Sequence, residues 1–245
     1  SSEADLSGWK FSKGVSFKFP EETRLGSGKF LVVAADRLTF RTRYPTFQGQ
    51  LFGNWTGQLA NSGETLQLED AEGKNRDEVT YGDDGDWARR RTSQPHRGFT
   101  GWVWESLHDG QGRSLELINA AASNKTGQNW TASKFNGGTP GYANSQAEAD
   151  VPPFIRDVRH WPILPTSNDT VSIHAKVDDD SGAPPTKVLL HWRVDGSSFF
   201  SQAEMLDDGK ADDGNAGNQV YGTSLAARPN GTIVEFYIES SDGHG

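Results

Sequence analysis

Hydrophobic and polar residues alternate along this chain in short runs that end at turn residues. Val15, Phe17 and Phe19 alternate with polar residues near the start, and residues 170–177 repeat the pattern further along. A period of two is typical of a β-strand with one buried face. No stretch longer than about six residues keeps a helical period without Gly, Pro or Asn. The pattern therefore predicts an all-β chain.

Several runs have the length and the bounding residues of single strands. Residues 30–35, FLVVAA, form a continuous apolar run, which predicts a central strand buried on both faces. Residues 65–69 and 78–81 alternate on either side of the turn 70–73 and predict a hairpin. With 28 Gly and 11 Pro marking the turns, the simplest arrangement is a β-sandwich.

A polar segment rich in small residues, ANSQAEADVPP at 143–153, interrupts the strand pattern. It ends in two prolines, as an extended linker would. We predict a first domain at 1–145, a linker at 146–153 and a second domain at 154–245. The predicted fold is two immunoglobulin-like β-sandwich domains in tandem. Since neither an initiator Met nor a signal peptide is present, we expect a fragment cut at both ends.

Composition narrows the classes of function. The net charge is −9, which argues against nucleic acid, whose phosphates need Lys and Arg. The absence of Cys excludes disulfides, Cys-ligated zinc and thiol catalysis. The longest apolar runs are too short to span a bilayer. Residues 1–150 carry 17 Lys and Arg against 19 Asp and Glu, whereas residues 151–245 carry 7 against 14. The acidity therefore lies mainly in the second part.

A series of short motifs runs in order through residues 1–145. The motifs are DLSGWKFS at 5–12, FP at 19–20, FLVVA at 30–34, LANSGETLQL at 59–68, VTYGD at 79–83, GRSLEL at 112–117 and GTPGYAN at 138–144. In this order they resemble the motifs of bacterial lamin-tail domains. The resemblance implies an immunoglobulin-like sandwich used for binding, with no catalytic residues to carry over. It also implies about two strands before residue 5 that this sequence lacks.

The second part carries its own motifs. They are PFIRDV at 153–158, MLDDG at 205–209, VYG at 220–222 and GTIVEFYI at 231–238. They resemble an immunoglobulin-like module that follows lamin-tail domains in large secreted bacterial proteins, often before a CotH-type (spore-coat kinase-like) domain. The resemblance implies an extracellular or cell-surface location, with the flanking domains of the same chain as partners. No kinase motif occurs in these residues: a Gly-rich loop leading to a Lys, His-Arg-Asp and Asp-Phe-Gly are all missing.

Residues 207–218, DDGKADDGNAGN, form an acidic, Gly-containing loop that is a candidate calcium site. Calcium prefers several carboxylate and carbonyl oxygens on a flexible loop. The candidate ligands are Asp207, Asp208, Asp212, Asp213, Asn215 and Asn218. The spacing departs from the EF-hand, which needs a Glu at its twelfth position. The alternative is a solvated turn whose Asp and Asn side chains make Asx-turns. Residues 178–180, three consecutive Asp, would join the site if the two loops meet.

Residues 87–113 combine Arg residues with aromatic residues. Within them Trp102 and Trp104 lie two positions apart, on one face of a strand. Such a pair suits either burial in a core or stacking on a sugar ring. Stacking on single-stranded nucleic acid is disfavoured by the nearby acids Asp83, Asp84 and Asp86. Trp102 and Trp104 are therefore the candidate ligand-binding residues.

Two functions follow from these observations. The first is a non-catalytic extracellular module for binding, adhesion or spacing inside a larger bacterial surface protein. The alternative is a carbohydrate-binding module that uses Trp102 and Trp104. We expect a protein or a polysaccharide at the cell surface as the partner. The sequence contains neither a Gly-x-Ser-x-Gly elbow nor a His spacing typical of a metal site, so no motif supports an enzyme.

Overall fold

A computed structural model describes residues 3–97, 101–179 and 182–243. About 40% of the chain is strand and 6% is helix, so the predicted all-β class is confirmed. The chain divides into two compact units, one of Ser1–Arg91 with Val103–Ala149 and the other of Thr92–Trp102 with Asp150–Gly245. The domain and linker bounds 1–145, 146–153 and 154–245 stay a prediction. Among the described residues, no helix is long and apolar enough to cross a membrane.

The first thirteen strands precede residue 133. They are β1 (Ala4–Asp5), β2 (Lys10–Lys13), β3 (Val15–Lys18), β4 (Arg24–Leu25), β5 (Leu31–Ala34), β6 (Gln50–Gly53), β7 (Thr56–Gly57), β8 (Gly63–Glu69), β9 (Asn75–Gly82), β10 (Arg89–Thr92), β11 (Trp102–Glu105), β12 (Leu115–Leu117) and β13 (Trp130–Ala132). An antiparallel sheet has the order β7-β3-β2-β8-β9, and β1-β4, β5-β6, β10-β11 and β12-β13 form two-stranded pairs. Helix α1 spans Arg37–Arg43, and 3₁₀ turns span Gly85–Trp87 and Gly127–Asn129.

The predicted hairpin around residues 70–73 is confirmed by the pairing of β8 with β9, in which Leu66 lies opposite Val79. The turn is held by Asp70, whose Oδ1 accepts hydrogen bonds from the backbone amides of Glu72 and Lys74. Its Oδ2 accepts one from Arg76 Nε at 2.7 Å. Asp70 is 3% exposed, so the turn is closed around a nearly buried carboxylate.

The prediction of a central strand buried on both faces at 30–35 is wrong. Strand β5 pairs only with β6, in a parallel pair, and its first three residues are half-buried. The chain leaves β5 directly into α1, which is capped by the Asp36 carboxylate accepting from the Thr39 amide at 2.6 Å. Ala34 packs with Phe47 and Leu51 in a small cluster. The apolar run therefore forms the first strand of a short β-helix-β unit instead of a central strand of a sandwich.

The second unit contains two three-stranded antiparallel sheets. Their strands are β14 (Phe154–Trp161), β15 (Val171–Asp178), β16 (Lys187–Val194), β17 (Ser201–Glu204), β18 (Val220–Leu225) and β19 (Val234–Ser241). The sheet orders are β14-β15-β18 and β17-β16-β19. One core cluster joins Ile173, Ala175 and Val177 of β15 to Val188 and Leu190 of β16, all at most 2% exposed. The alternation predicted for 170–177 therefore faces a shared core, as in a sandwich.

Candidate functional site

Strands β10 and β11 form a hairpin whose side chains are largely exposed. All four residues of β10 are exposed, as are Trp102, Val103 and Trp104 in β11. Trp102 is 43% exposed and Trp104 is 45% exposed, and their spacing places both indoles on one face. Burial of this pair in a core, one of the two alternatives from the sequence, does not describe this hairpin. Residues 98–100, part of the stretch 87–113 singled out in the sequence, lie outside the described residues.

An arginine lies beside one of the two exposed indoles. The Arg90 guanidinium carbon lies 5.1 Å from the centre of the Trp104 ring, within the range of a cation–π contact. Arg91 Nε lies 3.7 Å from a carboxylate oxygen of Glu105 across the strand pair. The hairpin therefore presents aromatic faces beside several hydrogen-bond donors, a combination that suits polar, ring-containing ligands.

The base of the hairpin is fastened to the end of β9. His108 Nε2 lies 3.0 Å from the Gly82 carbonyl oxygen, and the Ser106 hydroxyl donates to the Asp83 carbonyl. Just before β10, the Trp87 ring packs at 5.9 Å from the Trp130 ring. The residues that flank the hairpin are therefore held by hydrogen bonds and aromatic packing, whereas the side chains of its two strands are exposed.

Three of the candidate calcium ligands brace the acidic loop 207–218. Asp207 Oδ1 accepts from the amides of Gly217 at 2.7 Å and Asn218 at 3.2 Å, and its Oδ2 accepts from Gln219 at 2.8 Å. Asn218 donates its amide to the Asp213 carbonyl at 3.0 Å. These contacts cross the loop. Contacts of the Asx-turn kind, the alternative from the sequence, are made by Asp208 Oδ1 with the Lys210 amide at 3.1 Å and by Asn218 Oδ1 with the Val220 amide at 2.8 Å.

The other candidates differ in environment. Asp208 accepts from the Lys210 ammonium at 2.7 Å, and this hydrogen bond lowers the pKa of Asp208 and raises the pKa of Lys210. Asp212 and Asn215 are exposed, whereas Asp213 is 2% exposed. Within the described residues, no group of three or more His, Asp or Glu side chains is placed to hold a metal ion. The calcium site predicted from all six residues stays a prediction.

The acidic run 178–180 is only partly described. Asp178 ends β15, and its carboxylate accepts a hydrogen bond from the Arg156 guanidinium of β14. Asp180 lies outside the described residues. The Arg156 contact gives Asp178 a role in pairing β14 with β15, where the two residues' strands run antiparallel.

An open cavity of about 250 Å³ lies in the second unit. Apolar and polar side chains both line it; the apolar ones include Ile173, Leu225, Val234 and Phe236, and the polar ones include Thr166, Asp169, Arg228 and Asn230. The Arg228 guanidinium packs on the Trp192 ring at 4.6 Å, and Asp169 accepts from the Thr166 amide and hydroxyl. Because these residues come from separate strands and loops, no local motif marks the cavity.

Comparison with known proteins adds no relationship to this picture. No protein-family model matches the chain, and no curated protein matches it at a significant level.

Proposed function

We propose that the chain is a non-catalytic binding module of an extracellular or cell-surface bacterial protein, and that the β10–β11 hairpin is its contact surface. The exposure of Trp102 and Trp104 carries this proposal. Each half-exposed indole leaves on the order of 100 Å² of apolar surface in water, worth about 2.5 kcal/mol on burial. Covering both rings with a ligand would remove this apolar surface from water and so favour binding at this strand face.

The resemblance of residues 1–145 to bacterial lamin-tail domains supports the proposal. Such domains are immunoglobulin-like sandwiches used for binding. The resemblance of the second part to modules of large secreted proteins supports the same extracellular setting. In this setting the module would hold a cell-surface protein or polysaccharide while other domains of the parent chain act.

A polysaccharide ligand is the second candidate, and the geometry of the tryptophan pair favours it. Side chains two positions apart on a strand are separated by about 6.5–7 Å, so two indoles on one face form an extended platform. Sugar rings stack on such faces, and the exposed Arg90 beside Trp104 supplies donors for their hydroxyl groups.

The decisive experiment compares retention of the chain on purified bacterial cell-wall polysaccharides and on intact bacterial cells. The double variant Trp102→Ala and Trp104→Ala should lose retention by at least tenfold. Trp161→Ala is the matched control, because Trp161 is 57% exposed on β14 and lies outside the hairpin. It should be retained like the parent chain.

Three outcomes decide between the candidates. Retention on isolated polysaccharide that is lost in the double variant supports the carbohydrate-binding function. Retention on cells alone, unaffected by added polysaccharide but lost in the double variant, supports a protein ligand. Equal retention of the double variant and the parent chain would show that the hairpin is not the contact surface.

A further inference from the structure

The side chain of Asp213 is buried with one oxygen unsatisfied. Asp213 is 2% exposed, and its Oδ1 has no hydrogen-bond partner among the described residues. Buried carboxylates in proteins are paired, hydrogen-bonded or bound to a metal ion, because removing the charge from water is costly. An oxygen in this state is available to accept a hydrogen bond or to coordinate a cation.

The unsatisfied oxygen lies inside the acidic loop. The other oxygen, Oδ2, accepts from the backbone amides of Asp208 and Gly209, both at 3.2 Å. Since both oxygens share one carbon, Oδ1 is held within the same turn. The nearby Lys210 ammonium donates its hydrogen bond to Asp208 at 2.7 Å, and it acts on Asp213 only through its charge.

Gly222, a glycine of strand β18, lets the acidic loop pack closely against the sheet. A Cβ atom added to Gly222 of β18 would lie 3.0 Å from Asp213 Cβ and 3.2 Å from the Ala211 carbonyl oxygen. The loop therefore rests directly on the strand, which places the Ala211 carbonyl oxygen and Asp213 over the same residue. This contact holds residues 211–213 against β18 and helps to bury the side chain of Asp213.

We propose that a calcium ion binds in the loop 207–218 with Asp213 Oδ1 as its anchoring ligand. The exposed Asp212 and Asn215 supply further side-chain oxygens, and loop carbonyls complete the set. Calcium accepts six to eight oxygen ligands in flexible geometry, whereas magnesium demands a near-ideal octahedron. Asp207 acts differently, since its three amide contacts hold the loop closed before any ion binds. This site is independent of the hairpin proposed as the contact surface.

A neighbouring histidine makes the identity of the metal testable. His174 lies opposite Gly222 in the β15–β18 register, and its Nδ1 is also buried without a hydrogen-bond partner among the described residues. Imidazole nitrogen is a ligand for zinc, whereas calcium takes oxygen. A parallel titration with zinc therefore distinguishes a site that uses the histidine nitrogen from a calcium site made of oxygens.

The test is calorimetric titration of the whole chain, freed of metal by chelator, with calcium chloride. We expect one calcium ion per chain and a rise of roughly 10 °C in the thermal midpoint of the second unit at a hundred times Kd. Asp213→Asn should abolish both effects. Glu204→Gln, which removes an exposed carboxylate from β17, should leave both unchanged.

A second readout covers the case in which Asp213→Asn fails to fold. Terbium binds at calcium sites and is sensitised by nearby tyrosine, and Tyr221 adjoins Gly222 in β18. We expect terbium luminescence that calcium displaces and that Asp212→Asn weakens several-fold. The proposal is overturned if calcium produces no heat of binding and no change in the thermal midpoint. That is the result expected if a water molecule, and no cation, satisfies Asp213 Oδ1. Binding of zinc without calcium, or full binding by a folded Asp213→Asn chain, overturns it as well.

Discussion

The Arg90 guanidinium lies over the ring of Trp104, with its central carbon 5.1 Å from the ring centre. The two residues belong to paired strands, so the contact joins β10 to β11 on one side of the hairpin. At an exposed site such a contact is worth about 0.5–1 kcal/mol. This is too little to hold the fold, but it is enough to restrict the orientation of an exposed indole. We therefore assign Arg90 as a positioning residue for Trp104.

Arg90→Ala should weaken ligand retention about two- to fivefold, which corresponds to losing one exposed cation–π contact. The thermal midpoint should not change measurably, because Arg90 is exposed. Arg90→Lys should recover part of the retention. Arg89→Ala is the control, since it removes the same charge from the neighbouring position of β10. Equal losses in Arg89→Ala and Arg90→Ala would point to a general effect of charge and contradict the positioning role.

Asp207→Ala should destabilise the second unit by about 2 kcal/mol, because three backbone amides of the 217–219 segment lose their acceptor. Asp207→Asn should cost less, since one amide oxygen still accepts from Gly217 and Asn218. Denaturant unfolding in the presence of chelator measures both effects without metal. Asp212→Asn, which keeps a residue type that tolerates the positive φ of 60° at this exposed position of the same loop, should stay within about 0.5 kcal/mol of the parent chain. A loss as large as that of Asp207→Ala would show that the loop is not braced by Asp207.

The sequence predicted those parts of the molecule in which pattern and local chemistry agree. The β8–β9 hairpin follows from alternation on both sides of a turn, and the core face of β15 follows from its period of two. The prediction of a central strand at residues 30–35 was wrong, because a continuous apolar run is equally compatible with a short parallel pair whose two strands are connected by a helix. Whether a strand is central depends on partners that lie far away in sequence.

The candidate sites show the same division. Alternation placed Trp102 and Trp104 on one face, but their exposure depends on what the hairpin packs against. Composition marked the acidic loop, yet it could not separate Asp207, which braces the loop, from Asp213, which is buried. Asp213 packs against Gly222 of β18, where a side chain would collide with it, and this contact between loop and strand cannot be read from composition.

Glu116 links β12 to the segment that follows β13. It is 3% exposed, and its Oε1 accepts from the hydroxyls of Ser114 and Thr139. Its Oε2 accepts from the Ser145 hydroxyl at 2.7 Å and the Gln146 amide at 3.2 Å. Because no cation pairs with it among these partners, the carboxylate is stabilised by neutral donors alone.

Glu116→Ala should destabilise the first unit by about 3 kcal/mol, because buried donors are left unsatisfied. Glu116→Gln should cost only about 1 kcal/mol. Its new NH₂ group fits at the Oε1 position, where hydroxyls can turn to accept, and its oxygen still accepts from the Gln146 amide. Denaturant unfolding followed by circular dichroism measures the difference. If both variants lose the same stability, the hydroxyls do not reorient and the network is rigid.

The buried turn carboxylate of Asp70 predicts how acid affects the first unit. Burial raises the pKa of Asp70, but the Lys74 amide and the Arg76 guanidinium lower it by more, so the pKa lies below its usual value of 3.8. Because the folded pKa is below the unfolded one, the stabilisation is fully present above the unfolded pKa. It is lost as the pH falls through the folded pKa. The thermal midpoint should therefore hold from pH 7 to about pH 5 and fall steeply below pH 4.

Asp70→Asn should remove part of this dependence. The variant keeps an oxygen for the Glu72 and Lys74 amides but loses the charge that pairs with Arg76 at 2.7 Å. Its midpoint should be lower than that of the parent chain at pH 7, and the two should converge as the pH falls through the lowered pKa of folded Asp70, where the parent carboxylate becomes protonated too. Glu72→Gln, which removes an exposed carboxylate from the same turn, should keep the shape of the parent curve. Thermal unfolding across this pH range measures all three chains. A constant gap between Asp70→Asn and the parent chain at every pH would contradict the assignment, because the charge on Asp70 would then contribute nothing.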